Sequence, residues 1–78
     1  MAWTILTQPN CPACQQAKKE LGASHRTYVE VDITRYENQY IKSLMKWSGL
    51  DTVPQIWNHE GEYIGGYKEL EEHDKELR

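Results

Sequence analysis

The chain carries 78 residues, 38% of them hydrophobic and 27% charged, with a net charge of −3. That length allows one small domain over residues 1–78, and the composition is that of an ordinary soluble globular protein rather than a disordered segment. The acidic balance leaves no basic footprint for nucleic acid, and no apolar run approaches the roughly 20 residues that cross a bilayer, so neither nucleic acid nor membrane is an expected partner.

The opening Met1-Ala2-Trp3-Thr4 has neither the basic nor the apolar stretch of a secretory leader, so the reducing cytosol is the expected compartment. Trp3-Thr4-Ile5-Leu6-Thr7 is a short strand candidate ended by Gln8-Pro9-Asn10. Pro12 suits a first helical turn, where its missing N–H is not needed. Ala13, Cys14, Ala17 and Leu21 then recur at helical spacing, and Gly22 is the expected C-terminal cap. Thr27 to Ile33 reads as a second strand, with Val29, Val31 and Ile33 on one face and Tyr28, Glu30 and Asp32 on the other. A strand, a helix and a strand in about 30 residues form a βαβ unit, so these strands are expected to be parallel.

From about Arg35 to Ser48 the set Tyr40, Ile41, Leu44 and Met45 marks an amphipathic helix, with Gly49 beyond its end. Val53 to Asn58 reads as a third strand, His59-Glu60-Gly61-Glu62 as a turn, and Tyr63-Ile64-Gly65 as a fourth strand closing an antiparallel hairpin. Tyr67, Leu70 and Leu77 pattern a final helix. With no phenylalanine, the three Trp and five Tyr are expected to carry the aromatic part of the core; Trp47 and Trp57 read as core or groove-edge residues.

Cys11 and Cys14, the only cysteines, stand at the start of the first helix. A thiolate there faces unpaired backbone N–H groups and the positive end of the helix dipole, and the thiolate is the reactive form. The second cysteine, one turn on, can capture it as a disulfide. Zinc would need two more ligands, and His25, His59 and His73 are scattered without a ligand-like spacing; no metal is expected. A purely structural bridge closing so short a loop would constrain the unfolded chain little. An inert buried pair remains the bland alternative to reversible dithiol chemistry.

Pro54 sits awkwardly in an apolar strand because it cannot donate a ladder hydrogen bond. It suits a strand's first residue, or a cis bond that turns the Val53 backbone toward a groove where an extended peptide can pair. Gly65-Gly66 before a helix is either a flexible turn or an anion site in which backbone N–H groups converge.

Together, Cys11-Pro12-Ala13-Cys14, Thr52-Val53-Pro54-Gln55-Ile56 and Ile64-Gly65-Gly66-Tyr67 resemble the glutaredoxin family in order and spacing across essentially the whole chain. The resemblance implies an α/β, minimal thioredoxin-like fold: a four-stranded mixed sheet of order second, first, third, fourth, flanked by three helices. It implies a dithiol–disulfide oxidoreductase of CPxC type, with glutathione as co-substrate and no bound cofactor. Carried over by position, Cys11 is the nucleophile and Cys14 the resolving thiol. Val53, before the cis proline, pairs with the glutathione cysteine, while Gly66, Tyr67 and Lys68 hold the γ-glutamyl carboxylate. Thr52, Pro54, Ala13 and Gln8 complete the implied glutathione site. Clients are disulfide-containing or glutathionylated proteins, ribonucleotide reductase among those the resemblance suggests, and a monomer is expected because no surplus apolar surface is evident.

Three positions depart from the pattern. Ala13 replaces the usual tyrosine between the cysteines, Gln8 replaces a common lysine, and Lys68 stands at one position often acidic, with Glu69 following. The helix terminus stabilises a thiolate by at most about 2 kcal/mol, and Lys18 is too far along the helix to substitute for the missing lysine. Cys11 is therefore expected to be activated, but less than in relatives with that lysine. Two rivals stay open: a redoxin reduced by thioredoxin reductase without glutathione, and a module in which Cys11 of two subunits, with glutathione, holds an iron–sulfur cluster.

Overall fold

A computed structural model describes residues 2–76. Strand β1 (Trp3–Thr7) pairs in parallel with β2 (Tyr28–Asp32) and antiparallel with β3 (Gln55–Trp57), which pairs antiparallel with β4 (Tyr63–Gly65), giving the order β2-β1-β3-β4. The helices are α1 (Pro12–Ala23), α2 (Gln39–Ser48) and α3 (Tyr67–Glu76). This is the expected four-stranded, three-helix α/β architecture.

The core forms where Trp3 and Ile5 of β1 and Ile56 of β3 meet Ala17 and Leu21 of α1 and Leu70 of α3. Ile5, Ala17, Leu21, Ile56 and Leu70 are fully inaccessible to solvent, and such complete burial contributes about 1.5–3 kcal/mol for each large aliphatic side chain. Register pairs Trp3 with Tyr28 and Ile5 with Glu30. The polar set of β2 therefore shares the sheet face of the main core. Tyr28 packs against that core, and Glu30 accepts from the Thr7 hydroxyl at 2.8 Å and from Lys18 Nζ at 3.1 Å. The Thr7 bond is the main reason the Glu30 carboxyl lies below its ordinary range, with Lys18 assisting against desolvation.

Several boundaries differ from the sequence reading. Helix α1 runs through Gly22 and ends on Ser24, whose hydroxyl donates back to the Glu20 and Leu21 carbonyls; the left-handed residue is His25, with φ 57°. The helix expected from Arg35 is split. A 3₁₀ turn spans Tyr36–Asn38, and α2 starts at Gln39 after Asn38 donates its amide to the Asp32 carbonyl at 2.8 Å. The expected strand from Val53 begins only at Gln55, because Pro54 has no N–H to give the ladder; the Val53–Pro54 peptide is cis. Gly49 does close α2, at φ 81°. Leu77, expected in the last helix, lies outside the described residues.

The aromatic expectation fails in part. Trp3 is in the core, with Tyr28 and Tyr67 packed against that core, whereas Tyr36 and Tyr40 are exposed and Trp47 is 87% exposed. Only Met45 of α2 is buried, so this helix rests on the sheet by a narrow contact.

Candidate active site

Asn10, at φ 58°, turns the chain out of β1 so that Cys11 caps α1 and Pro12 takes its first position. Cys11 and Cys14 are joined as a disulfide, Cα to Cα 5.2 Å, and the Cys14 N–H donates to Cys11 Sγ at 3.1 Å. Cys14 is 1% exposed and Cys11 8%, so Cys11 is the sulfur that a partner can approach. The N–H that bonds Cys11 Sγ is also one that would stabilise its thiolate.

A groove of about 340 Å³ opens beside the pair, lined by Ala13, the Thr52–Pro54 segment, Tyr63 and the Gly66–Glu69 turn of α3. Seven of the eight residues expected to hold glutathione thus come together: Ala13, Thr52, Val53, Pro54, Gly66, Tyr67 and Lys68. Gln8 is exposed and does not line the groove. The glycines permit the close fit. Gly65 adopts φ 126° and presses against Glu69, where an added Cβ would lie 2.7 Å from that side chain; a Cβ on Gly66 would lie 3.6 Å from the Pro54 carbonyl oxygen. The proline loop and the start of α3 are therefore near neighbours.

Two lining residues were not anticipated. Glu69 Oε1 accepts the Gly66 N–H at 2.8 Å, the reach-back half of a capping box, so one donor of the expected anion site is already occupied by the chain's own carboxylate. The acidic residue three positions after Gly66 was its sequence signal. Tyr63 lines the groove and sets its ring 4.9 Å from that of Trp57; nothing in an exposed strand residue marked it. Tyr67 donates its hydroxyl to Glu71 at 3.2 Å, which raises the phenol pKa. Lys18 is held by Glu30 and points its charge to β2 instead of Cys11. Among the described residues no cluster of three or more His, Cys, Asp or Glu could hold a metal ion.

Fold and site together define a dithiol protein of thioredoxin-like fold, with its cysteine pair at a helix N-terminus beside a cis-proline loop. The glutaredoxin family model matches residues 3–64, and the chain belongs to the glutaredoxin family. It is 38% identical over 64 residues to the mouse protein glutaredoxin-2, mitochondrial, a match covering 80% of this chain and 40% of that one. The chain spans about two fifths of the length of the mammalian relatives it matches. Glutaredoxin 1 of Francisella tularensis superimposes with a TM-score of 0.78 at 29% identity, covering 97% of this chain and 94% of that one. A buckwheat glutaredoxin solved with glutathione gives a TM-score of 0.81 at 22% identity, covering 95% and 68%, a likeness of fold.

Proposed function

We propose that this chain is a glutathione-dependent thiol–disulfide oxidoreductase acting on protein disulfides and glutathione mixed disulfides. The observation that carries the reading is the groove in which Ala13, between the two disulfide-bonded cysteines, meets the Thr52–Pro54 loop and the start of α3. Glutathione is a small extended peptide with carboxylates at both ends. A bent backbone edge can pair with its middle, and a helix N-terminus suits one of its carboxylates. The relative solved with glutathione supports the same assignment.

In the proposed cycle the Cys11 thiolate attacks the glutathionyl sulfur of a mixed disulfide. The S–S bond breaks, Cys11 becomes glutathionylated and the client leaves as a thiolate. A second glutathione thiolate attacks the glutathione sulfur of this mixed disulfide, forming oxidised glutathione and releasing the Cys11 thiolate. With a protein disulfide, the Cys11 thiolate attacks one client sulfur, the client S–S bond breaks and the other client sulfur leaves as a thiolate. Cys14 then displaces the client's second thiolate, and two glutathiones reduce the resulting Cys11–Cys14 bond. Cys14, almost wholly buried, fits the intramolecular step and Cys11 the intermolecular one. The cycle needs a reduced glutathione pool, so a reducing compartment belongs to the proposal.

The test is turnover of a glutathionylated peptide with glutathione, glutathione reductase and NADPH, against the same assay with thioredoxin reductase supplying electrons. Turnover in the first arm, retained by Cys14→Ser and abolished by Cys11→Ser, is expected. Turnover only in the second arm would overturn the glutathione site.

A further inference from the structure

A second depression, about 400 Å³, runs between α2 and the sheet. Its walls include Ile41, Leu44, Met45, Trp47, Leu50 and Trp57, and the side chains of Ser48 and Gln55 among them are already engaged. Ser48 donates its hydroxyl to the Met45 carbonyl and Gln55 its amide to the Leu50 carbonyl. Nothing there is set to bind an ion or a polar ligand. Yet Trp47 is 87% exposed and Leu44 59%, so the expectation of no surplus apolar surface does not hold. Contiguous exposed apolar surface marks binding sites, and tryptophan is enriched at their energetic centres.

This trough adjoins the redox groove, with no lining residue in common but with neighbouring walls. The connection from α2 to β3 walls both, with Leu50 in the trough and Thr52, Val53 and Pro54 in the groove. On the sheet side Tyr63 of the groove packs against Trp57 of the trough. A chain lying along the Val53 edge would therefore run directly onto apolar surface.

We propose that the α2 trough docks the client protein, taking apolar side chains that lie a few residues from the reacting cysteine in an extended segment. The inference rests on the proposed redox reading and adds a determinant of client choice. Glutathione itself is too short to need the trough, so small and protein substrates should separate.

The experiment uses the full chain and its Leu44→Ser and Trp47→Ser variants, with thermal melts to establish folding. Substrates are the cysteine–glutathione mixed disulfide and two glutathionylated twelve-residue peptides, one flanked by Leu and Trp and the other by Gly and Ser. For the apolar peptide each variant should lose about fivefold in kcat/KM, through KM, a change equivalent to about 1 kcal/mol of lost apolar burial. The small disulfide should change less than about twofold, well under the worth of one buried side chain. Equal wild-type rates on the two peptides, or parallel losses on all three substrates, would overturn the docking site. A concentration-dependent dimer in sedimentation, abolished by Trp47→Ser, would assign the trough to a second copy and overturn it too. Absence of wild-type turnover on every substrate would bring down the redox reading and this inference with it.

Discussion

Arg26 bridges to Asp74 across 48 positions of sequence, donating through its two terminal guanidinium nitrogens, Nη1 and Nη2, to the two carboxylate oxygens at 3.1 and 2.6 Å. Its guanidinium also lies 4.3 Å from the centre of the Trp3 ring. Both charged groups are largely withdrawn from water. One guanidinium thus ties the loop after α1 to the last helix over a core aromatic, and α3 is the element whose first turn lines the redox groove.

Removing one partner of such a pair leaves a charge without compensation, which costs several kcal/mol when burial is complete and less when the pair keeps some solvent. Asp74→Asn is expected to destabilise by about 2 kcal/mol, a fall of roughly 10 °C in the melting midpoint for a domain of this size. The double variant Arg26→Met/Asp74→Leu should recover much of that loss, because apolar side chains can replace a paired charge. Thermal melts of the three proteins at neutral pH check both statements. Equal losses in the single and double variants would show that the packing of the pair, and not its charge, matters.

The same pair sets an acid limit. Burial opposes ionisation of Asp74, but the Arg26 and Glu20 hydrogen bonds and the Arg26 charge outweigh it, and the carboxyl stays below its ordinary value of 3.8. A carboxyl lowered on folding contributes stability that is complete above its unfolded value and lost as pH falls through the folded one. The urea midpoint of the wild type should therefore drop below pH 4, while that of Asp74→Asn should drop less steeply over the same range. Glu30, lowered mainly by the Thr7 hydroxyl, adds to the wild-type slope in the same direction.

Local patterns in the sequence made the first half of the fold legible. The short run Trp3–Thr7 ended by Gln8-Pro9-Asn10, Pro12 in a first helical turn, and the spacing of Ala13, Cys14, Ala17 and Leu21 are decided by neighbours a turn or two away, and they predict β1 and α1 to within two residues at each end. The groove was legible because its parts are backbone features marked by proline and glycine. The Arg26–Asp74 pair was not, since a long-range ion pair leaves no period. Asp74 sits where a polar helix face is expected, yet it is buried. Helix α2 misleads for the opposite reason: its apolar spacing signals a core face, but the described residues leave Leu44 and Trp47 exposed. Gly22 has the residue type of a cap without its conformation, because the Ser24 hydroxyl ends the helix two residues later.

Gly65, at the end of β4, and Gly66, in the groove, should respond differently to substitution. Gly65→Ala places a Cβ 2.7 Å from Glu69 at φ 126°, whereas Gly66→Ala meets Glu69 Oε1 at 3.4 Å and the Pro54 oxygen at 3.6 Å. The first is strained by conformation and by contact and is expected to lose about 2 kcal/mol. The second should lose less than about 1 kcal/mol of stability while narrowing the groove and raising KM for glutathione. Chemical denaturation and steady-state kinetics separate the effects. Comparable stability losses at both positions would mean that the turn cannot relax around even an ordinary van der Waals contact.

Gln8→Lys tests how the Cys11 thiolate is stabilised. Gln8 is exposed at the end of β1, three residues before Cys11 and outside the groove lining, and Lys18 is already engaged by Glu30. An added cation there acts through solvent, so its gain should resemble that of a surface pair, about 0.3–1 kcal/mol, or up to about fivefold in thiolate population. With the cysteines reduced, alkylation of Cys11 by iodoacetamide at pH 6 should quicken by up to that factor at low salt. The gain should shrink toward nothing in 1 M salt, where the screening length is about 3 Å. An increase that survives high salt would point to a direct Lys–thiolate contact, and no increase at either ionic strength would mean that the backbone N–H groups at the start of α1 already dominate the stabilisation of Cys11.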